Sequence, residues 1–131
     1  MGFFAKPDPI ELLKKELEKK PKDSKILLDL AAHFKAKGAT DEAVEYYMRA
    51  AQALSDVGFA PKAVALVKQV TQLAPKAIEP YELLAKLLEQ LKVKEDLRAV
   101  LKILVPLYRS NGKDDLARAT EEKIKALGPG R

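Results

Sequence analysis

The stretch DVGFAPKAVALVKQVTQLAP, residues 56–75, decides the fold of this chain. It contains a glycine turn at Gly58, a segment with helical spacing that carries Ala63 near its start, and a closing proline, Pro75. A similar turn and helix start, KAKGATDEAVEYY at 35–47, places Gly38 only 20 residues upstream of Gly58. Arrays of stacked helix pairs commonly repeat every ~34 residues. The two turns are therefore too close together for a simple array of helix pairs.

The composition is that of an ordinary globular domain. The 131 residues are 47% hydrophobic and 33% charged, and both kinds are mixed along the chain. Because cysteine is absent, a disulfide framework and thiolate metal sites are excluded. No apolar run approaches the ~18 residues that cross a bilayer, and the start has no signal-peptide core. We expect a single domain over 1–131, cytoplasmic and without membrane insertion.

Helical spacing of apolar residues dominates the chain, and no strand-like alternation persists. Prolines and glycines divide the sequence into seven predicted helices, at 9–20, 24–37, 41–57, 61–74, 80–91, 94–110 and 114–127. Asp23 or Ser24 is expected to cap the second helix and Thr40 the third, while Pro61 and Pro80 suit first turns.

An internal duplication is visible at a spacing of 54 residues. Pro21, Pro75 and Pro129 follow this spacing, and so do Gly58 and Gly112. When 24–77 is aligned with 78–131, apolar positions match at helical spacing, whereas Gly38 meets Lys92. The sequence thus predicts two copies of a three-helix unit, preceded by an N-terminal segment and first helix at 1–23.

The pattern resembles the tetratricopeptide repeat (TPR) family. Residues 24–54 carry the family's spacing in Leu27, Leu30, Ala31, Phe34, Gly38, Ala43, Tyr47 and Ala50. Residues 44–75 and 98–129 carry it again, so the registers overlap. The helix at 41–57 would then be the second helix of one repeat and the first of the next, which explains the close turns. The resemblance implies an all-α, TPR-like antiparallel solenoid of about seven helices. The stretch at 58–75 also resembles repeats in large bacterial regulatory proteins.

Side-chain size predicts how closely these helices pack. Ala43, Ala50 and Ala51 allow close approach in the first unit, whereas Leu97 and Leu104 occupy the slots of Ala43 and Ala50 in the second. We therefore expect wider helix spacing in the second unit. The outer helices are more polar, since Glu121 takes the slot of Val67 and Glu16 that of Val70. Such polar faces are typical of the two ends of a solenoid.

No constellation of catalytic residues is present. His33 is the single histidine and is expected on a helix surface, without a nucleophile or phosphate loop to partner it. The acidic pairs at 41–42, 95–96 and 114–115 suit the positive ends of helix dipoles. We expect no enzymatic activity, no catalytic residue, no cofactor and no metal site.

The leading functional hypothesis is a protein-interaction scaffold or adaptor. The resemblance implies a concave surface lined by first helices of repeats, here Lys25, Leu28, Asp29, Ala32, Lys35, Glu82, Leu83, Lys86 and Glu89. The family's carboxylate-clamping members use asparagine at such positions, but Asn111 is the only asparagine here. Mixed charge beside Leu28 and Leu83 favours an amphipathic segment or a folded partner, and the resemblance suggests a bacterial regulatory or multiprotein complex.

Three alternatives stay open. The chain could be a self-assembling homo-oligomer, stacked end to end or across an exposed apolar face. RNA binding is suggested by the net charge of +5, although the lysines are spread along the chain and few aromatic residues are available for base stacking. Phe3 and Phe4 either pack on the first helix or form an apolar contact for a partner.

Pro106 lies inside the sixth predicted helix and is expected to bend it.

Overall fold

The computed structural model describes residues 6–129 and contains seven α-helices, with no strand in that range. The helices are α1 (Pro9–Lys19), α2 (Ser24–Ala36), α3 (Thr40–Asp56), α4 (Ala60–Leu73), α5 (Ile78–Gln90), α6 (Lys94–Ser110) and α7 (Asp114–Ala126). Every helix expected from the sequence is present, with bounds within two residues of those predicted. Phe3 and Phe4 lie outside the described residues.

Local side-chain chemistry accounts for where the first two helices begin. The Asp8 carboxylate accepts a hydrogen bond from the Ile10 amide at 2.9 Å. Asp23 accepts from the amides of Lys25 and Ile26 at 3.0 and 3.2 Å, which confirms it as the cap of α2.

The predicted cap at Thr40 is wrong. Thr40 is the first residue of α3, and the capping position is taken by Ala39, which has no side-chain hydrogen bond. Gly38 has a φ of 79°, and the Ala39 amide donates to the Phe34 carbonyl at 2.9 Å. Because of this glycine turn, α3 begins at Thr40, one residue earlier than predicted. The Thr40 hydroxyl therefore does not cap the helix.

Successive helices pack against each other and alternate between two layers. Short connections join α1 to α2, α2 to α3 and so on, which makes sequential helices antiparallel neighbours. In the odd-numbered layer α3 also contacts α5. In the even-numbered layer Lys68 of α4 forms an ion pair with Asp96 of α6 at 3.5 Å. The architecture is therefore a TPR-like antiparallel solenoid, as the sequence resemblance implied.

Helix α3 is shared between neighbouring helix pairs. It packs against α2, α4 and α5, and Ala43, Ala50 and Ala51 on its surface have no solvent exposure. At the equivalent positions of α6, Leu97 and Leu104 are buried. The wider helix spacing expected in the second unit stays a prediction.

The buried side chains form two clusters. The main core runs from α3 to α7 and includes Leu84, Leu87, Leu88, Leu101 and Leu104. The N-terminal core joins α1, α2 and α3 through Ile10, Leu17, Leu27, Leu30 and Ala50. Leu66 of α4 contacts both clusters, so the array is continuous from one end to the other.

The helix bounds follow the 54-residue period. Ser24–Ala36 corresponds to Ile78–Gln90, and Thr40–Asp56 to Lys94–Ser110, at both ends. A unit of three helices has an unusual consequence in a two-layer array. Because three is odd, each equivalent helix of the second copy lies in the opposite layer and runs in the opposite direction. Thus α2 belongs to the even layer and its counterpart α5 to the odd layer.

Candidate partner-binding site

An apolar cleft of about 490 Å³ lies between α5 and α7, with α6 as its floor. We call it the α5–α7 cleft. Its floor consists of Leu97, Leu101, Leu104 and Tyr108. Its walls are Glu82, Ala85, Lys86 and Glu89 of α5, and Thr120, Lys123, Ala126 and Leu127 at α7. Leucines on the floor and charged side chains on the walls make this an amphipathic concave surface.

The equivalent cleft of the first unit is nearly closed. It lies between α2 and α4 over α3 and has a volume of only about 40 Å³. Tyr47 and Leu66 line it, whereas the second unit has Leu101 and Thr120 at the corresponding positions. A tyrosine ring and a leucine therefore fill space that smaller side chains leave open between α5 and α7.

Two floor residues also differ in size from their first-unit counterparts. Leu97 and Leu104 stand where α3 has Ala43 and Ala50. Within residues 6–129, neither α5 and α7 nor α2 and α4 contact each other directly, so both clefts have separate walls. The first-unit cleft is nearly closed because Tyr47 and Leu66 fill it, whereas the smaller Leu101 and Thr120 leave the α5–α7 cleft open.

Tyr108 connects the floor to the α5 wall. Its hydroxyl donates a hydrogen bond of 2.5 Å to Oε2 of Glu82. Burial raises the pKa of the Tyr108 hydroxyl well above its ordinary value, and the hydrogen bond and the charge of Glu82 add to the rise. The tyrosine stays protonated at neutral pH and fixes Glu82 at one end of the cleft.

The α7 wall is held by polar contacts from α6. The Arg98 guanidinium donates to the carbonyls of Leu127 and Gly128 at 3.2 and 2.7 Å, at the negative end of the α7 dipole. Arg109 forms an ion pair of 2.5 Å with Glu121. These contacts hold α7 against α6.

The sequence-predicted partner residues are divided between different surfaces. Glu82, Lys86 and Glu89 line the α5–α7 cleft. Lys35 lines the nearly closed cleft of the first unit. Leu83 packs against the main core and Leu28 against the N-terminal core, both partly buried.

The remaining three predicted residues, Lys25, Asp29 and Ala32, are exposed on α2 and line neither cleft. Since α2 and α5 lie in opposite layers, the structure does not bring the two predicted groups together.

The sequence reasoning missed the floor and the α7 wall. Leu101, Thr120 and Lys123 were not among the predicted partner residues, yet all three line the cleft. A signal was available in the 54-residue alignment, where Thr120 stands opposite Leu66 and Leu101 opposite Tyr47. The loss of side-chain volume at both positions indicates an unfilled space.

No catalytic arrangement is apparent in the part of the chain that the structure describes. His33 is exposed on α2, as expected. The acidic pairs at 41–42, 95–96 and 114–115 occupy the first turns of α3, α6 and α7. Between residues 6 and 129, no group of three or more histidine, aspartate or glutamate side chains is placed to hold a metal ion.

Two aromatic side chains of the N-terminal half pack against each other. Phe34 and Tyr46 stack with ring centroids 5.4 Å apart and an interplanar angle of 7°. Lys14 lies over Phe34 at 5.6 Å, and Arg49 lies over Tyr46 at 5.2 Å. This arrangement joins α1, α2 and α3, and the rings are engaged with partners from the chain itself. Base stacking on these rings, as RNA binding by the repeat would need, is disfavoured.

Comparison with known proteins identifies structural likeness only. No family model matches the chain, and no curated protein matches it. Among solved structures, the chain is similar to the MamA protein, with 15% identity, 90% of this chain and 80% of that chain covered, and a TM-score of 0.45.

Two further structures have similar scores. A thermophilic TPR protein in Thermus thermophilus shares 20% identity, with 92% of this chain and 81% of that chain covered and a TM-score of 0.41. PilF of Pseudomonas aeruginosa shares 13% identity, with coverages of 92% and 68% and a TM-score of 0.41. These similarities concern the fold, and no binding partner is carried over from them.

The helices between residues 6 and 129 include none that is both long and apolar enough to span a bilayer.

Proposed function

We propose that the chain is a non-enzymatic protein-interaction module that binds an apolar segment of a partner protein in the α5–α7 cleft. The observation that carries this proposal is the open, leucine-floored cleft of about 490 Å³ beside a nearly closed counterpart in the same chain. Binding pockets commonly enclose ~300–1,000 Å³ and combine apolar walls with a few polar groups. The α5–α7 cleft has both properties.

The walls favour an amphipathic partner helix. Glu82 and Glu89 are separated by Lys86 on α5, and Lys123 faces them from α7. A helix laid between α5 and α7 would place apolar side chains at three- and four-residue spacing on the leucine floor. Charged side chains of both signs on its flanks would pair with the mixed charges of the rim, which supply specificity more than affinity.

We also propose that the residues predicted on α2 form a second contact surface for the partner. Lys25, Leu28, Asp29, Ala32 and Lys35 lie in the other layer, so a folded partner would have to reach around the end of the array to contact both surfaces. A role inside a bacterial regulatory or multiprotein complex, suggested by the sequence resemblance, is also proposed.

Filling the cleft tests the proposal. The double variant Leu101→Tyr with Thr120→Leu installs the first unit's own residues at the equivalent positions of the second. Peptides selected from a displayed random library with the unaltered protein as bait would be titrated against this variant. We expect the affinity to fall at least tenfold, while the helicity and the melting temperature are retained.

A matched control adds the same side chains to the same helices outside the cleft. Ala99 of α6 and Ala119 of α7 are exposed, so Ala99→Tyr with Ala119→Leu should bind the selected peptides normally. If the cleft-filling variant binds as tightly as the unaltered protein, the partner site lies elsewhere and the proposal is wrong.

A further inference from the structure

One end of the solenoid differs chemically from the other. Because sequential helices are antiparallel, the turns that follow α1, α3 and α5 lie at the same end as the C-terminus of α7. We call this end the basal edge, defined by the turns at 20–23, 57–59 and 91–93 and the adjoining first turns of α2, α4 and α6. The α3–α4 and α5–α6 turns belong to helices that are neighbours in each layer, since α3 contacts α5 and Lys68 of α4 pairs with Asp96 of α6.

Apolar side chains are concentrated on the basal edge. Four of the large apolar side chains exposed in residues 6–129 lie in two of its turns, namely Val57 (69% exposed), Phe59 (50%), Leu91 (37%) and Val93 (37%). The 54-residue repeat provides an internal comparison, because each equivalent turn lies at the opposite end of the array. The equivalent positions there are Asn111, Lys113, Lys37 and Ala39. In both pairs of equivalent turns, the turn with the apolar side chains lies at the basal edge.

Lysines surround these apolar tips. The basal edge carries Lys20, Lys22, Lys62, Lys92 and Lys94, and within the described chain none of them forms an ion pair. Lys62 lies over the Phe59 ring at 5.3 Å.

Acidic side chains are more numerous at the helix starts of the other end than at those of the basal edge. Those at helix starts of the other end are Glu11, Asp41, Glu42, Glu79, Asp114 and Asp115. At the basal edge, Asp23 caps α2, Asp56 accepts a hydrogen bond from Gln52, Asp96 pairs with Lys68, and Glu95 also lies in the first turn of α6.

We propose that the basal edge docks on the surface of an anionic lipid bilayer. The apolar tips would enter the interfacial region, while the lysines contact the headgroups and lay their aliphatic stems along the apolar surface. Contact is with the surface alone, through turns, and no spanning helix is involved.

The same features disfavour two other occupants. Nucleic acid would leave Val57, Leu91 and Val93 without a role, and Lys62 covers a face of the Phe59 ring. A second copy joined through the same edge would bring two sets of lysines together, which is unfavourable for an isologous contact.

Vesicle flotation tests the inference with the full chain. The unaltered protein should float with vesicles of phosphatidylcholine and phosphatidylglycerol at low salt and much less with phosphatidylcholine alone. Val57→Ser with Phe59→Ser should lower the partition coefficient about tenfold or more, because the apolar contribution of both tips is lost. Lys92→Gly with Lys62→Gln should lower it by a similar factor and weaken its salt dependence.

Ile103→Ser with Leu116→Ser is the matched control, since these side chains are 43% and 46% exposed away from the basal edge. This control should float like the unaltered protein. The inference fails if the protein does not float with anionic vesicles, or if the Val57 and Phe59 variant floats as well as the control. It also fails if vesicle binding is undetectable and the Lys92→Gly, Lys62→Gln variant binds oligonucleotides less well than the unaltered protein. A dimer in sedimentation that is joined through the basal edge would also contradict it.

Discussion

The Tyr108 hydroxyl of α6 donates a 2.5 Å hydrogen bond to the Glu82 carboxylate of α5 and joins the floor of the α5–α7 cleft to one of its walls. In the first unit, Leu54 and Leu28 occupy the equivalent positions, so this polar connection is particular to the open cleft. It links the stability of the second unit to the protonation of one tyrosine.

Tyr108→Phe should change how stability depends on alkaline pH. Because the pKa of Tyr108 is raised in the folded protein, its contribution is fully present below the unfolded value of ~10 and is lost as pH rises above it. At neutral pH we expect the variant to be less stable by about 1 kcal/mol, since Glu82 is exposed to solvent.

Urea unfolding of both proteins at neutral pH and above pH ~10 measures this effect. The difference between the two proteins should shrink at the alkaline pH. A constant difference would show that the tyrosine hydroxyl contributes nothing through its proton.

Lys92→Gly should stabilise the chain. Lys92 has a φ of 60° and is the one described non-glycine residue with a positive φ, whereas Gly38 at the equivalent turn has a φ of 79°. A left-handed conformation costs an ordinary residue ~1–2 kcal/mol, part of which is offset by the greater freedom of glycine in the unfolded chain. A gain of about 0.5–1 kcal/mol is expected in urea unfolding.

Gly38→Lys is the reciprocal test of the turn. No atom lies within 4 Å of a Cβ placed at Gly38, so the cost should come from the backbone conformation alone. We expect a loss of about 1 kcal/mol. Equal stability of all three proteins would contradict the turn geometry.

Ala50→Asp should destabilise much of the array. Ala50 has no solvent exposure and lies where α3 closes against its neighbours. An unpaired carboxylate there should cost several kcal/mol, whereas Ala65→Asp on the exposed surface of α4 should stay within about 0.5 kcal/mol of the unaltered protein. Thermal unfolding followed by circular dichroism distinguishes the two, and equal melting curves would rule out α3 as a shared helix.

Arg98→Met should loosen α7 without disturbing the first unit. The substitution keeps the apolar stem but removes the hydrogen bonds to the Leu127 and Gly128 carbonyls. We expect a loss of ~1.5–3 kcal/mol from charged hydrogen bonds, reduced by partial exposure. Amide hydrogen exchange should accelerate in α7 and stay unchanged in α2 and α3. Uniform acceleration throughout the chain would contradict this local role.

The helices could be predicted from the sequence because local signals agree with tertiary packing. Prolines and glycines mark the boundaries, and the overlapping repeat registers indicate that the helix at 41–57 is shared by two repeats. The start of α3 was missed because a glycine turn at Gly38, rather than the Thr40 hydroxyl, sets it.

The candidate site was only partly predictable. Glu82, Lys86 and Glu89 line the cleft and could be named from the sequence, since they lie opposite the apolar stripe of one amphipathic helix. The assumption that equivalent helices share a face was misleading, because an odd number of helices per unit reverses the layer. The placement of the turns at 57–59 and 91–93 at the same end was not predicted for the same reason, because it follows from the antiparallel alternation of the helices.

Methyl-resolved NMR with a library-selected peptide tests the central claim most directly. With leucine methyls labelled and assigned, peptide binding should shift the signals of Leu97, Leu101 and Leu104 and produce intermolecular contacts to them. Signals of Leu66 and Leu73, which line the nearly closed cleft of the first unit, should stay in place. Shifts at Leu66 and Leu73 with unchanged signals from the three α6 leucines would contradict the assignment of the α5–α7 cleft as the partner site.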